Sequence, residues 1–493
     1  MPLRPNQLAG IAIALLTLIL TILVAAKAWH SSFTHDEAVS YLRYMKLSVL
    51  EIATYKNVGL ANNHILNSLC MKLTNALVGG TSEGWLRIHS VLSLPLFAFA
   101  VYRLFRPYAW HLQMGCFLVV VAQVYMLDFF ALARGYAMSF ALCTMSFALF
   151  VDSMRTQRPG LYRWSLLCAM LGVLASFVTL HYFLALIALR NIWLLASSKE
   201  SEAGFRWQNL LRGNASNAIA MLVLTAVLWL PVQQLLKHNM LVFGGSVGFW
   251  EDSLKSLFYS GLYGAGNGDA LKPIYIALLG LGTALSGGIA VAGLRNKTLN
   301  IYRQHAVVPA ALFAVVLIGI STTAQHLLTG ALFPWCRTAL FIQPFVLVMI
   351  VGGLAYVTAF SPWKWPATGL LATLALVVTV HLATSFNFTA SVDWNFDRNS
   401  KAVASYLNEA AKQAPAPLRI VADPLYVPAL QYYQLKWQPN WAFVSDNWAV
   451  DDVHFHYVRD RDLNNLPAGA EVLTEYKNSK SVLLKRNLET AAP

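Results

Sequence analysis

A succession of long apolar runs constrains this chain more than any other feature. Leu8 to Ala26 holds no charged residue, and comparable runs recur up to about residue 386. A helix of about 20 apolar residues crosses the hydrocarbon core of a bilayer, where every backbone N–H and C=O must be satisfied internally. Eleven stretches qualify as spans: 8–28, 86–104, 110–127, 136–151, 163–180, 181–196, 215–236, 273–294, 306–323, 337–360 and 364–386. Only 12% of the 493 residues are charged, about half the roughly 25% usual in soluble domains. A soluble enzyme, a disordered chain and a secreted disulfide scaffold are thereby excluded. The expected fold class is an all-α polytopic membrane protein.

Charge is unevenly spread. Residues 1–384 carry a net charge of +14 and residues 385–493 a net of −1. The bases sit in short loops between apolar runs, which reads as topology signals and anionic-lipid contacts rather than nucleic-acid binding. The five cysteines, Cys70, Cys116, Cys143, Cys168 and Cys336, are scattered among apolar stretches without a CxxC and read as packing residues.

Loop charges set the topology. A further apolar stretch, 62–79, decides the parity. If it does not cross, Arg103/Arg106, Arg155/Arg158/Arg163, Lys199/Arg206/Arg212, Arg295/Lys297/Arg303 and Lys364 all face the side of the N-terminus, as the positive-inside rule prefers. Its apolar residues Ile65, Leu66, Leu69, Leu73 and Leu77 share one helical face, as in a helix lying along the interface. Eleven spans then place the N-terminus inside and the C-terminus outside. The first outer segment also carries Lys27, Arg43, Lys46, Lys56, Lys72 and Arg87, against the simple rule; an anionic ligand on that side would account for them. The apolar core of the first span is longer than the h-region of a signal peptide and reads as a retained anchor.

Two domains follow: a transmembrane domain over 1–386, whose first outer loop (29–85) holds interfacial helices, and a small extracytoplasmic α/β domain over 387–493. The tail reads as a helix over 400–412, a strand over 418–422, a helix near 428–436, and strands near 453–458, 471–476 and 481–485.

Thr34-His35-Asp36-Glu37 is the densest polar signal. Adjacent carboxylates at a membrane surface suit general-base work or metal coordination. The same residues also suit an N-cap, with Thr34 or Asp36 opening the helix EAVSYLRYMKL. Asn62-Asn63-His64 can hold sugar hydroxyls or phosphate oxygens, or simply solvate a helix start. Asp128 and Arg134-Gly135-Tyr136 flank the outer turn between the third and fourth spans; they can pair or snorkel, yet intramembrane ionisable residues are functional candidates by default. His181-Tyr182 stands at the next outer junction, as ligand or interfacial hydrogen-bonder. Arg337 opens the tenth span, where it can grip a phosphate bidentately or anchor a helix end. Tyr432-Tyr433 can stack on a sugar or pack the tail. The glycines of 244–248 and 261–268 read as an irregular outer loop able to gate a cleft. No P-loop, HExxH, GxSxG or nucleic-acid module occurs.

Taken in order, HDEAVSYL, NNHILNSLCMKL, GTSEGWLRIHSVLSLP, DFFALARGYAMSFAL and LHYF resemble bacterial members of glycosyltransferase family 39, in the C-type superfamily of polyprenyl-phosphate-sugar transferases. That group includes protein O-mannosyltransferases and lipid A aminoarabinose transferases. The similarity covers residues 8–185, continues weakly through FPWCRTALFIQP, and extends to the small outward C-terminal domain. It implies a catalytic role for Asp36 with Glu37. Arg134 and Tyr136 match the family's Arg-x-Tyr turn, and Asp128 sits where some members carry another acid. The interfacial helix usually starts HPPL or KPPL; here it starts NNHIL.

The resulting expectation is a glycosyltransferase of the bacterial inner membrane, with a cytoplasmic N-terminus and a periplasmic tail. It moves a sugar from a polyprenyl-phosphate donor to a lipid, glycan or protein acceptor, with inversion. Asp36 is the base, while Arg134, Arg337 and Lys72 meet the departing phosphate. Asn63, His64, Asp128, Tyr136, His181 and Tyr182 complete the substrate-binding set. A divalent metal ion is the one cofactor this set suggests, with Asp36 and Asp128 as candidate ligands. The alternatives are a flippase or transporter, which needs charges along a through-pathway, and an O-antigen-type polymerase or ligase, which does not need the acid pair.

Overall fold

A computed structural model describes residues 5–56, 61–79, 82–198, 207–240, 244–295, 305–438, 440–444, 453–465 and 469–486. Lys199, Arg206, Lys297 and Arg303 lie outside the described residues. The chain divides into two compact units. The larger comprises Met1–Val24, Val49–Leu69 and His89–Phe386; the smaller comprises Ala25–Ser48, Cys70–Ile88 and Asn387–Pro493. Two pieces of the segment following the first helix thus cluster with the tail.

All eleven apolar stretches are helical, but they are not eleven equal spans. Among the described residues, nine helices are long and apolar enough to cross a membrane. They include Pro5–His30, Glu83–Phe105, Gly135–Thr156, Val307–Thr329 and Lys364–Ser385. The expected span 110–127 is a broken pair, Trp110–Val121 and Val124–Phe130, bent by 66°. The break falls at Ala122–Gln123, where the Gln123 amide folds back to donate to the Val119 carbonyl at 2.6 Å. The expected span 163–180 is Pro159–Ala175, only 17 residues. At about 1.5 Å per residue it falls short of a core about 30 Å thick. Its start follows from Pro159, whose fixed φ suits the first helical turn.

Within the larger unit, Gly135–Thr156 and Cys336–Phe360 are central, with 83% of each span window buried, whereas Lys364–Ser385, at 17%, turns Leu376, Val377 and Val380 outward. Arg103 pairs with Asp152 at 2.5 Å and Arg155 with the same carboxylate at 3.5 Å. The ends of Glu83–Phe105 and Gly135–Thr156 therefore lie together, as alternating spans require. The glycine-rich segment over 244–268, expected as an irregular loop, is held by several contacts. Gly245 bridges to Phe333, Asp252 accepts from the Val247 and Gly248 amides at 2.7 Å each, and a π-helical turn, Phe249–Leu254, leads into the helix Lys255–Gly261.

The stretch 62–79 forms the helix Ile65–Val78, whose 14 residues are too few to cross. It buries Ile65 and exposes Leu73 and Leu77, the pattern of an interfacial helix.

In the smaller unit every expected tail element is present, together with one short strand not foreseen. The strands are β1 (Leu418–Ala422), β2 (Trp441–Phe443), β3 (Phe455–Arg459), β4 (Ala470–Tyr476) and β5 (Ser481–Arg486), in the sheet order β2-β1-β3-β5-β4. β1 pairs in parallel with both β2 and β3, while β5 is antiparallel to β3 and β4. The helix Val427–Trp437 supplies the crossover from β1 to β2, and Ser400–Gln413 precedes β1. Apolar positions on β1, β3 and β5, among them Ile420, Tyr457 and Leu484, build the core.

Candidate functional site

The acid segment belongs to the smaller unit. Ser31–Thr34 joins the first helix to His35–Tyr44, and all four linking residues are buried. The N-cap arrangement read from Thr34-His35-Asp36-Glu37 is present, because the Glu37 carboxylate accepts from the Thr34 amide and hydroxyl, both at 2.9 Å. Glu37 does more than cap. Its two oxygens receive Arg87 Nε at 2.8 Å and Nη2 at 2.6 Å, and both side chains are fully buried. Arg87 also donates to the Ala28, Ser31 and Ser32 carbonyls and to the Ser31 hydroxyl. The Glu37 carboxylate is enclosed by protein, whereas its neighbour Asp36 is half-buried. Lys72 donates to the Met45 carbonyl at 2.8 Å, closing the far end of the same helix. Arg87 and Lys72, two of the bases that seemed to call for an anionic ligand, thus have partners inside the protein.

The C-terminal domain meets this segment within the same unit. Asp397, only 1% exposed, accepts the His35 amide at 2.6 Å. Burial, together with the charges of Asp36 and Glu37, pushes the Asp397 carboxyl well above the usual carboxylate range. Tyr432 and Tyr433 are fully buried. The Phe33 ring stacks on Tyr432 at 4.1 Å, and the Phe33 amide donates to the Tyr433 hydroxyl at 2.9 Å. This pair packs rather than presenting a face to a sugar.

The basic cluster belongs to the larger unit. Arg134, buried at the start of Gly135–Thr156, donates Nη1 to the Asn62 side-chain oxygen and Nη2 to His64 Nε2 at 3.2 Å. Its guanidinium lies 5.7 Å from the centroid of the Tyr136 ring, and that ring meets His64 edge-on at 4.9 Å. Because Nε2 accepts, the remaining ring N–H is Nδ1, which suits the hydrogen bond from His64 to the Ala175 backbone. Burial and the charges of Arg134 and Arg337 hold the imidazole well below its ordinary pKa, so it is neutral. Asn62 and His64 orient the guanidinium. Gly135 permits the arrangement: a Cβ there would stand 1.8 Å from the Ala175 carbonyl oxygen and 2.8 Å from His64.

The other expected ligands divide. Asn63 turns inward, donating to the Ile52 carbonyl at 3.0 Å and accepting from Ser68 at 2.8 Å; Asn62, one residue earlier, is the amide that meets Arg134. Asp128 is buried and accepts from the Tyr263 hydroxyl at 2.7 Å. His181 shares a hydrogen bond with Ser321 at 2.9 Å. Tyr182 is fully buried, donates to Ser146 and stacks on Phe345, which makes it a packing residue. Arg337 stands in the 3-10 turn Cys336–Ile342, and its charge reaches His64. Among the described residues no three His, Cys, Asp or Glu side chains gather as a metal site. Phe249, Trp250, Leu254, Leu279, Val316 and Leu327 help line an apolar cavity of about 780 Å³ in the same unit.

Neither Arg87 nor Asp397 stands out in the sequence as part of the site. Arg87 left one trace there, as a base on the wrong side for the positive-inside rule. Asp397 left none.

No family model and no curated protein matches this sequence. Solved structures do match. ArnT from Cupriavidus metallidurans in the apo state is 11% identical, with a TM-score of 0.52, over 98% of this chain and 100% of that one. The same protein bound to undecaprenyl phosphate is 12% identical, with a TM-score of 0.53, over 98% of this chain and 99% of that one. The archaeal oligosaccharyltransferase AglB from Archaeoglobus fulgidus follows at 12% identity and a TM-score of 0.47, over 91% and 69% of the two chains. This chain, with its many membrane-length apolar helices, has the ArnT-like fold.

Proposed function

We propose that this protein transfers a sugar from a polyprenyl phosphate to an acceptor hydroxyl or amine at the outer face of a bacterial plasma membrane. One observation carries the reading: the buried Arg134 guanidinium is brought together with the Asn62 side chain, His64 Nε2 and the Tyr136 ring, a polar site set among apolar helices. Such a site suits an anion, and charge-assisted hydrogen bonds from arginine match phosphate oxygens. Undecaprenyl phosphate is the ligand of ArnT, a protein of the same fold. The apolar cavity of about 780 Å³ suits a stretch of isoprenoid chain.

In this reading Asp36 takes the proton of the acceptor. The acceptor atom forms a bond to the anomeric carbon while the bond from that carbon to the phosphate oxygen breaks. The lipid phosphate departs with the electron pair, and Arg134 and Arg337 stabilise the charge that develops on it. A single displacement inverts the anomeric centre. Glu37 positions Asp36 through Arg87 and does not touch substrate.

The test is turnover by purified protein in detergent, supplied with an extract of polyprenyl-phosphate sugars and envelope acceptors and followed by mass spectrometry. Wild type should consume one donor selectively. Asp36→Asn should lose about 10²–10⁴-fold of that rate while keeping its fold and its affinity for undecaprenyl phosphate. Full turnover by Asp36→Asn defeats the assignment of the base.

A further inference from the structure

Nothing in the transfer chemistry calls for the C-terminal domain, yet that domain holds the segment leading into Asp36 by its backbone. Three consecutive amides run into the helix His35–Tyr44. The Phe33 amide donates to the Tyr433 hydroxyl at 2.9 Å, the Thr34 amide to Glu37 at 2.9 Å, and the His35 amide to Asp397 Oδ2 at 2.6 Å. The His35 ring also donates through Nδ1 to the Leu425 carbonyl at 2.8 Å. Both polar groups of the residue before Asp36 are therefore held by the tail. Ser32 adds a hydrogen bond to the Arg398 carbonyl at 2.9 Å and accepts the Lys401 amide at 3.2 Å.

The first amides of a helix have no partner within it, and the residue before the helix ordinarily caps them with its own side chain. Here the capping box of Thr34 and Glu37 is in place, and the first amide, that of His35, which the box leaves over, is taken by a residue 362 positions away. Asp397 is itself fixed, for Ser400 donates to its other oxygen at 3.1 Å from the start of Ser400–Gln413. Setting a third buried carboxyl beside Asp36 and Glu37 is electrostatically unfavourable. What the arrangement secures is the path of the backbone at residues 33–35.

We infer that Asp397 and Tyr433 are positioning residues for Asp36: the C-terminal domain fixes the direction in which the Asp36 side chain leaves the first helical turn. This inference rests on the reading of Asp36 as the base. A misplacement of about 1 Å in a reacting group lowers rate by about a hundredfold, so loosening this clamp should act on the rate and not on donor binding.

Full-length Asp397→Ala, Asp397→Asn and Tyr433→Phe, beside Asp36→Asn, test it. Donor consumption from the polyprenyl-phosphate-sugar extract is measured across extract concentrations, and undecaprenyl phosphate serves as the binding probe. Asp397→Ala should lower the saturated rate by about ten- to a hundredfold, with the half-saturating extract concentration and the probe affinity unchanged. Asp397→Asn keeps a side-chain oxygen for the His35 amide and should recover most of the rate, while Tyr433→Phe should lose severalfold. A wild-type rate in Asp397→Ala overturns the inference, as does an equal loss of rate and probe affinity, or an Asp397→Asn no better than the alanine variant. Should Asp397→Ala fail to fold, Tyr433→Phe decides, and an unchanged rate there overturns it. A fully active Asp36→Asn removes the base reading and this inference together. An inactive Asp36→Asn beside a fully active Asp397→Ala removes only this inference.

Discussion

The acid segment and the basic cluster handle charge in opposite ways. In the smaller unit, Glu37 and Arg87 are buried against each other, and Arg87 spends further donors on three backbone carbonyls. In the larger unit, Arg134 is buried against an amide oxygen and a neutral imidazole. A closed ion pair presents little net field to a ligand and organises the chain around it. The lesson is that burial alone does not identify a functional charge; the charge of its partners does.

Breaking the closed pair should have the largest effect on stability. Arg87→Met leaves Glu37 buried and uncompensated, a loss of about 3–5 kcal/mol that should appear as early unfolding in detergent. Adding Glu37→Gln to Arg87→Met should restore part of that loss, since removal of both charges relieves the penalty left by removing one. A double variant less stable than either single one would contradict this account of the pair.

The Arg134 guanidinium should respond differently. Arg134→Gln should lower thermal stability less than Arg87→Met does, and weaken undecaprenyl phosphate binding by about ten- to a hundredfold, the worth of a hydrogen bond to a charged group. A collapse in stability with unaltered binding would place Arg134 in the same class as Arg87 and erase the contrast.

The smallest effect concerns a buried group outside both regions. His456 on β3 is fully buried, and neither ring nitrogen has a hydrogen-bond partner among the described residues. Burial, with the charge of Arg486 adding to it, lowers its pKa. A base whose folded-state pKa is depressed binds more protons when unfolded, so its contribution is complete above the ordinary value of about 6.5 and is lost as pH falls below it. Unfolding of the wild type between pH 7.5 and 5.5 should show this loss, and His456→Leu should flatten the dependence while adding about 1 kcal/mol of stability. An identical slope in the two proteins would assign the pH dependence elsewhere.

Much of the fold was legible in the sequence, and less of the site. Apolar runs mark the spans because a bilayer demands about 20 such residues in a row. The tail elements show for a related reason: alternation and proline punctuation are local signals. Local pattern did not reveal that 110–127 breaks at Ala122–Gln123 or that Pro159–Ala175 is short, since hydropathy reports composition and not the path of the backbone. At the site, the acid pair was visible as a pair, yet its two members have different parts. Asn62 and Asn63 were equivalent on paper, and helix phase turned one to Arg134 and the other into the packing beneath.

The sequence by itself determined that this chain carries a series of membrane helices and roughly where they lie, that a small α/β domain follows them, and which polar residues stand out from the apolar background. Tertiary structure alone decided that Glu37 closes on Arg87, that residues 64, 134 and 337 share one electrostatic site, and that Asp397 holds the amide next to Asp36. The physical reason is separation along the chain. Hydropathy and capping act over a few residues, whereas these partners are 50 to 362 positions apart, and only packing brings them within hydrogen-bond or electrostatic reach.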